Sequence, residues 1–352
     1  MRNLLTTFRN YTVESVTSGH PDKICDQVSD AILDECLKRD PMSRVAIESF
    51  GAHGLFVIGG ELTTNAKIDA AKIAAKVYKD IGHTDKLKII TNIIKQSPDI
   101  AMGVDTGGAG DQGIMYGFAT NETPEYLPLA ITLVHKLTKG LEELRKSKKI
   151  DWLLPDGKAQ ITIQNGNVKT VLISTQHKKN IPMEKIRKEI TEKLIKKVIG
   201  KNLDGITILV NPTGKFEVGG FIGDTGLTGR KIMVDTYGGL IPHGGGAFSG
   251  KDPTKVDRSG AYMCRFVAKN LVAKGLAKNV LVSVSYAIGK ADPLMIEAKD
   301  QNGKSLTNFV KKNYDFRPLS IIEKLKLRNP IYLSTASYGH FGKDYLPWEK
   351  IE

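Results

Sequence analysis

The feature that most constrains this chain is a recurring grammar of helical and extended patterns, joined by short Gly/Pro punctuation and without a long linker. Pro21 stands where a helix favours proline, and Ile24, Val28, Ala31 and Cys36 follow at roughly helical spacing. Residues 45–50 and 55–60 read as paired strands around the turn 51–54. A helix over 67–81 stops at Gly82, and a strand follows over 87–94. The pattern then returns: a helix at 131–144, strands at 159–164 and 171–174, an amphipathic helix at 182–199 and a strand at 206–210. A third round gives a helix at 260–274, a strand at 280–288 and helices around 305–326. Sheets with helices on one face, about three times over, predict an α+β architecture. No repeated sequence period accompanies it.

At 352 residues the chain can bury a sizeable core. Its 41% hydrophobic and 25% charged residues exclude wholesale disorder. No apolar run approaches the roughly 18 residues that span a bilayer. The first ten residues show neither the apolar stretch nor the cleavage site of a secretory signal. Cys25, Cys36 and Cys264 have no ligand spacing, and Cys25 and Cys36 lie too far apart on one helix to bridge. Reduced thiols packed as small hydrophobes fit a cytoplasmic protein. The net charge of +13 raises nucleic acid as a partner, but no aromatic-interleaved basic stretch or nucleic-acid motif supports it. Windows 136–149, 178–201, 265–278 and 299–326 hold 26 of the 51 basic residues and 8 of the 38 acidic ones. The surplus therefore reads as solvated helix surface.

Three Gly-rich stretches, 107–113, 219–229 and 237–250, permit close backbone approach to a ligand. Two resemble nucleotide motifs and fail on context. GAGDQG (108–113) fits G-x-G-x-x-G, yet an extended, Gly-containing run follows where the dinucleotide fold needs a helix. GGAFSGKD (245–252) nearly fits a P-loop, but Asp252 replaces the hydroxyl residue, and Pro253 disfavours the required helix. Glycines beside a lysine still describe an anion-binding loop.

GHPDK (19–23) sets His20, Asp22 and Lys23 at a helix mouth, where free N–H groups and the dipole favour phosphate. Asp22 is a hard oxygen ligand of the kind Mg²⁺ uses. Arg230, Lys231, Lys251 and Lys255 alternate with Asp224 and Asp257 on Gly/Pro-rich loops, as a polyphosphate with metal ions requires. PDGK (155–158) offers a similar turn. Glu48, inside an apolar strand, and Glu61, directly after another, are either solvent-facing by alternation or buried ligand binders; periodicity does not decide.

The set GHPDK, GGELTT (59–64), KQSPDI (95–100), GAGDQG, GDTGLTGRK (223–231), DTYGG (235–239), HGGGAFSGKD (243–252) and KVDRS (255–259), closed by PWEK (347–350), resembles the S-adenosylmethionine synthetase family over nearly the whole chain. The resemblance implies three similar α/β domains in pseudo-threefold arrangement, in segments 9–106, 110–219 and 220–352, which exchange pieces. It implies transfer of the adenosyl group of ATP to the sulfur of L-methionine, with cleavage of tripolyphosphate to phosphate and pyrophosphate. Two Mg²⁺ and one K⁺ are the implied cofactors. The implied assembly is a homodimer with sites at the interface, pairing further to a homotetramer, with no nucleic-acid or membrane partner. An ATPase with another acceptor is the nearest alternative.

Carried over by position, the resemblance places His20 beside the phosphates at the bond being broken, and Asp22 and Asp257 at Mg²⁺, with Glu14 as a helper. Glu48 matches the K⁺ ligand. Glu61, Gln96 and Lys255 match methionine-binding positions, joined by Asp224. Asp156, Gly157, Lys158, Lys215, Phe216, Asp224, Arg230, Lys231, Ala247 and Lys251 match positions that line ATP. His20, Lys158, Arg230, Lys231 and Lys251 would serve the catalytic step. A thioether sulfur has no proton to lose, so the absence of a nucleophile–base arrangement is expected, and a protonated or donating His20 would assist the leaving group. Three departures stand out: a shortened segment 98–108, Lys215 where arginine is usual, and few residues after PWEK.

Overall fold

The computed structural model describes residues 9–95 and 107–352. The first third runs β1 (Tyr11–Val16), α1 (Pro21–Arg39), β2 (Arg44–Ala52), β3 (Leu55–Thr63), α2 (Ala70–Ile81) and β4 (Lys88–Ile94). The second runs β5 (Gly113–Thr120), α3 (Leu129–Lys146), β6 (Leu153–Gln164), β7 (Asn167–His177), α4 (Met183–Ile190) and β8 (Thr207–Val210). A π turn, Thr191–Ile195, extends α4 to a last helical turn, Lys196–Val198. The third runs β9 (Gly226–Leu227), α5 (Ile232–Asp235), α6 (Val256–Ala273), β10 (Asn279–Tyr286), β11 (Met295–Asp300), α7 (Thr307–Asn313) and α8 (Pro318–Lys324).

Three sheets repeat one plan, although no repeated sequence period marks it. In order they are β9-β2-β3-β4, β1-β6-β7-β8 and β5-β10-β11. Each centres on an antiparallel hairpin, and the helix preceding that hairpin covers one face: α1 on β2, α3 on β6, α6 on β10. In the first two sheets a parallel strand follows on the far side, β4 beside β3 and β8 beside β7. The antiparallel outer strand always comes from another third of the chain. β1 completes the second sheet, β5 the third and β9 the first. Without the borrowed strand the third sheet would keep only a two-stranded hairpin, and the exchange ties the three units together.

Alternation puts Val45, Ile47, Phe56 and Ile58 against Ile24, Val28 and Ile32 in a shared core. α1 also bears aspartates at every fourth position, hence on one face about 6 Å apart. Asp22 accepts the backbone N–H of Leu227, Asp26 that of Gly229, Asp30 that of Gly250, and Asp34 those of Tyr332 and Leu333. One helix thus anchors three stretches of the C-terminal third. Only glycine fits at position 250, where φ is 81° and a Cβ would lie 1.9 Å from the Ile47 carbonyl oxygen. Asp30 also forms a two-pronged ion pair with Arg258, both fully buried, at 2.7 and 2.9 Å.

Three local expectations change. Residues 155–158 are not a turn but lie inside β6, whose register with β7 breaks between Leu153 and Gly157 and so accommodates Pro155. α2 begins at Ala70, because the Asp69 carboxylate caps the N–H of Lys72. The window 265–278 is not solvated surface throughout. Arg265 and Lys269 are buried on α6 and both grip Glu349 of PWEK. The lysines of α4, in contrast, are mostly exposed or half-buried. Among the described residues no helix is long and apolar enough to cross a membrane, and the three cysteines are free and buried.

Asp30→Ala strands the Arg258 guanidinium in a dry interior and should cost about 3–5 kcal/mol in urea unfolding, with much of the loss restored by adding Arg258→Met.

Candidate functional site

At the start of α1, His20 is the N-cap, and its Nδ1 accepts the backbone N–H of Asp22 at 3.2 Å. An Nδ1 that accepts carries no proton, so the neutral ring keeps its hydrogen on Nε2. Three stretches close around it. Thr17 binds the Gly157 and Pro155 carbonyls through its N–H and Oγ1, which locks the loop to β6. Residues 226–231 lie on α1 so closely that a Cβ on Gly226 would fall 2.2 Å from the Pro21 carbonyl oxygen. The third stretch, 219–224, hangs from Asp156, whose Oδ2 accepts the Gly220 N–H at 2.9 Å.

The charges at this mouth are cationic and partly pre-paired. Lys231 Nζ lies 2.6 Å from Asp22 Oδ2, and Arg230 Nε 3.7 Å from Oδ1. Burial, then the fields of Lys231 and Lys158, push the His20 imidazole down to about 2 against the opposing field of Asp224. Of the two alternatives for His20, protonated or donating, the depressed value favours a neutral, donating ring in the unliganded site. Burial also pushes the Asp156 carboxyl up to about 6, and its Oδ1 is buried without a hydrogen-bond partner. That orphaned acceptor is suited to a hydroxyl or amine of a ligand.

A second group of residues sits on the loop 243–252 and the start of α6. Lys251 Nζ pairs with Asp257 Oδ2 at 2.6 Å, and Lys255 Nζ with Asp252 Oδ2 at 2.6 Å. Asp252 also accepts the Val45 N–H, so the loop is pinned to β2. Gly246 leaves room for Asp257, because a Cβ there would meet Oδ1 at 2.1 Å. Gly229 and Ala247 touch, which sets this group beside the first.

The remaining expected residues are spread out. Glu61 faces Ala46 across the hairpin, and Ala46 bridges to Lys251, so Glu61 borders the second group. Glu48 is exposed on the same open sheet face. Glu14 is exposed on β1, two positions from the Val16–Lys158 pair. Lys215 is exposed, and Phe216 is fastened to His177 by two hydrogen bonds. Gln96 and most of 98–108 lie outside the described residues.

Sequence reasoning set Lys23 at the helix mouth and missed that it, like Asp26 and His83, is a buried support. Lys23 Nζ is buried between Asp26 and Asp235; burial opposes its charge, but the two carboxylates outweigh this and raise it. Burial in turn pushes Asp26 up to about 7. His83 Nε2 lies 3.0 Å from the Gly19 carbonyl and braces the loop before His20. The four-residue aspartate spacing was visible as a signal; His83 had none beyond following a helix-ending glycine.

Among the described residues no group of three or more His, Cys, Asp or Glu forms a metal cage. Mg²⁺ usually takes one or two protein carboxylates and completes its shell with phosphate and water. Asp22 and Asp257, one carboxylate in each group, fit an ion that arrives with phosphate.

Three interlocked α/β units thus surround a cluster of cations and hard carboxylates, the charge pattern that suits a polyphosphate. Models of the S-adenosylmethionine synthetase N-terminal, central and C-terminal domains match residues 9–98, 106–216 and 218–350. The chain is 49% identical to the S-adenosylmethionine synthase of Petrotoga mobilis, over 97% of this chain and 96% of that one. It is 48% identical to those of Clostridium tetani and Staphylococcus epidermidis, over 97% and 98% of this chain and 96% of each relative. The chain belongs to the S-adenosylmethionine synthetase family.

His20 should not titrate between pH 5 and 8 in imidazole NMR spectra of the unliganded protein. Because its folded value is depressed, its contribution is fully present above about 6.5 and shrinks as pH falls. Relative to His20→Asn, the wild type should lose about 1.4 kcal/mol of stability per pH unit below that point.

Proposed function

We propose that this protein makes S-adenosylmethionine from ATP and L-methionine, and then cleaves the tripolyphosphate to phosphate and pyrophosphate. The observation that supports this is the geometry of His20 at a helix N-terminus, its Nδ1 taken by the Asp22 N–H, with Arg230 and Lys231 paired to Asp22 beside it. The methionine sulfur attacks C5′ of ATP as its own electron pair donor, so no base is needed. Alignment of sulfur, C5′ and the bridging oxygen can supply up to about 7–11 kcal/mol. His20 donates Nε2–H toward the bridging oxygen as negative charge grows there. Lys158, Arg230, Lys231 and Lys251 receive the departing triphosphate, each preorganised donor being worth about 2.7–4 kcal/mol.

Asp22 and Asp257 would hold the two Mg²⁺, which neutralise phosphate charge when bound. On binding, Lys231 and Lys251 exchange these carboxylates for phosphate oxygens, so few charges are left without a partner. Asp156 Oδ1 accepts a donor of the nucleoside, with Gly157, Lys215, Phe216, Asp224 and Ala247 lining it. Glu61, Gln96, Asp224 and Lys255 take methionine, and Glu48 contributes an oxygen to K⁺. Glu14 remains a helper for Mg²⁺.

The open face of the first sheet carries Phe50, Ile90 and Ile94, all exposed, beside Glu48 and Glu61. A second copy covering that face would bury them and bring these carboxylates into a shared site. We place the dimer there, with pairs of dimers as the larger assembly, in the cytoplasm, where free thiols persist.

With ATP, methionine, Mg²⁺ and K⁺, mass spectrometry and ion chromatography should find the sulfonium product, phosphate and pyrophosphate; phosphate without the sulfonium product would sink the reading. EDTA should abolish turnover. Lys251→Met should lower kcat by about 10²–10³ with little change in methionine binding. Sizing chromatography should show no monomer at micromolar concentration.

A further inference from the structure

On the far side of the loop that carries His20, a cavity of about 590 Å³ opens between α3 and the segment 333–345. Its size is that of a small-molecule site. Leu127 and Phe341 form buried apolar wall, with Val77 and Ile81 of α2 beyond them. One polar group on the lining, Lys343, lacks the partner its chemistry calls for. Lys343 Nζ donates to the Ser334 and Ser337 carbonyls, both at 2.7 Å, and has no carboxylate within 4 Å among the described residues. An ammonium has three hydrogens to donate, so one is left over.

The neighbouring carboxylate cannot make up the deficit. Glu142 is spent on Ser18 Oγ, the Tyr338 hydroxyl and Lys146. Lys139, also on the lining, reaches only an exposed Glu143 at 3.8 Å. Around Lys343 the charged neighbours are Lys23, Asp235, Lys139 and Glu349, and burial with the field of Lys23 pushes its ammonium down to about 7. Lys343 is half-buried, with a donor to spare and no adjacent carboxylate among the described residues, and an anion brought in from outside would complete its shell.

We propose that this cavity is a second ligand site, for a small organic anion with an apolar body. Its anionic end meets Lys343, and its body lies on Leu127 and Phe341. Neither ATP nor methionine is needed to explain the site, and the proposal stands apart from the reaction assigned above.

The probe is 8-anilinonaphthalene-1-sulfonate, which carries a sulfonate and an aromatic body. Fluorescence titration of the full chain, with the nucleotide site filled by a non-hydrolysable ATP analogue, should show one binding event per chain. Lys343→Met should weaken it by about tenfold or more, the loss of one charge-assisted hydrogen bond, while Lys343→Arg retains it. A crystal structure of the wild-type protein with the probe should place the sulfonate at Lys343, which holds whether or not a variant folds. Displacement by the ATP analogue, an unchanged affinity in Lys343→Met, or a sulfonate bound elsewhere would overturn the proposal.

Discussion

The carboxylate stripe of α1 is the interaction on which the rest depends. Asp22, Asp26, Asp30 and Asp34 occupy successive turns of one face, and each receives backbone N–H groups from the C-terminal third. Buried carboxylates must be met by donors, and hydrogen bonds to a charged group are worth about 1.5–3 kcal/mol each. The helix therefore fixes where the loops 226–231 and 243–252 lie and, with them, Lys231 and Lys251. Removing the stripe would leave glycine-rich loops with little of their own to hold them.

The same stripe prepares the site electrically. Its first aspartate holds Lys231, and Asp257 holds Lys251 in the adjoining group, so the cations are fixed before any polyanion arrives. Lys23, deeper in, is shared by Asp26 and Asp235 and takes no part at the surface. Its positive field instead helps keep His20 neutral, together with Lys231 and Lys158. A histidine in such company donates a hydrogen bond without carrying a charge.

Much of the architecture could be read from local pattern. The helices at 131–144 and 182–199 and the hairpin around 51–54 appear within a few residues, because 3.6- and 2-residue periodicities register which side faces a core. The loop motifs carried the family resemblance, because glycines and charges at fixed offsets mark where backbone must approach a ligand. PDGK misled because Pro and Gly usually signal a turn, whereas here a register break lets a strand absorb them. Arg265 and Lys269 misled because composition cannot show that Glu349, some 80 residues away, waits in the core.

The sequence by itself determined the element types, the recurring α/β grammar and the residues equipped for phosphate chemistry, since these follow from local sterics, periodicity and side-chain chemistry. Only the tertiary structure decided that each sheet borrows its outer strand from another third of the chain. It alone placed Asp224, Lys231 and Asp156 around one helix mouth. It also decided that His20 is neutral, and that Lys343 faces a cavity without a counterion. The physical reason is common to all four. Strand pairing, burial and the field at a titrating group are set by residues distant in sequence, and no local pattern records that distance.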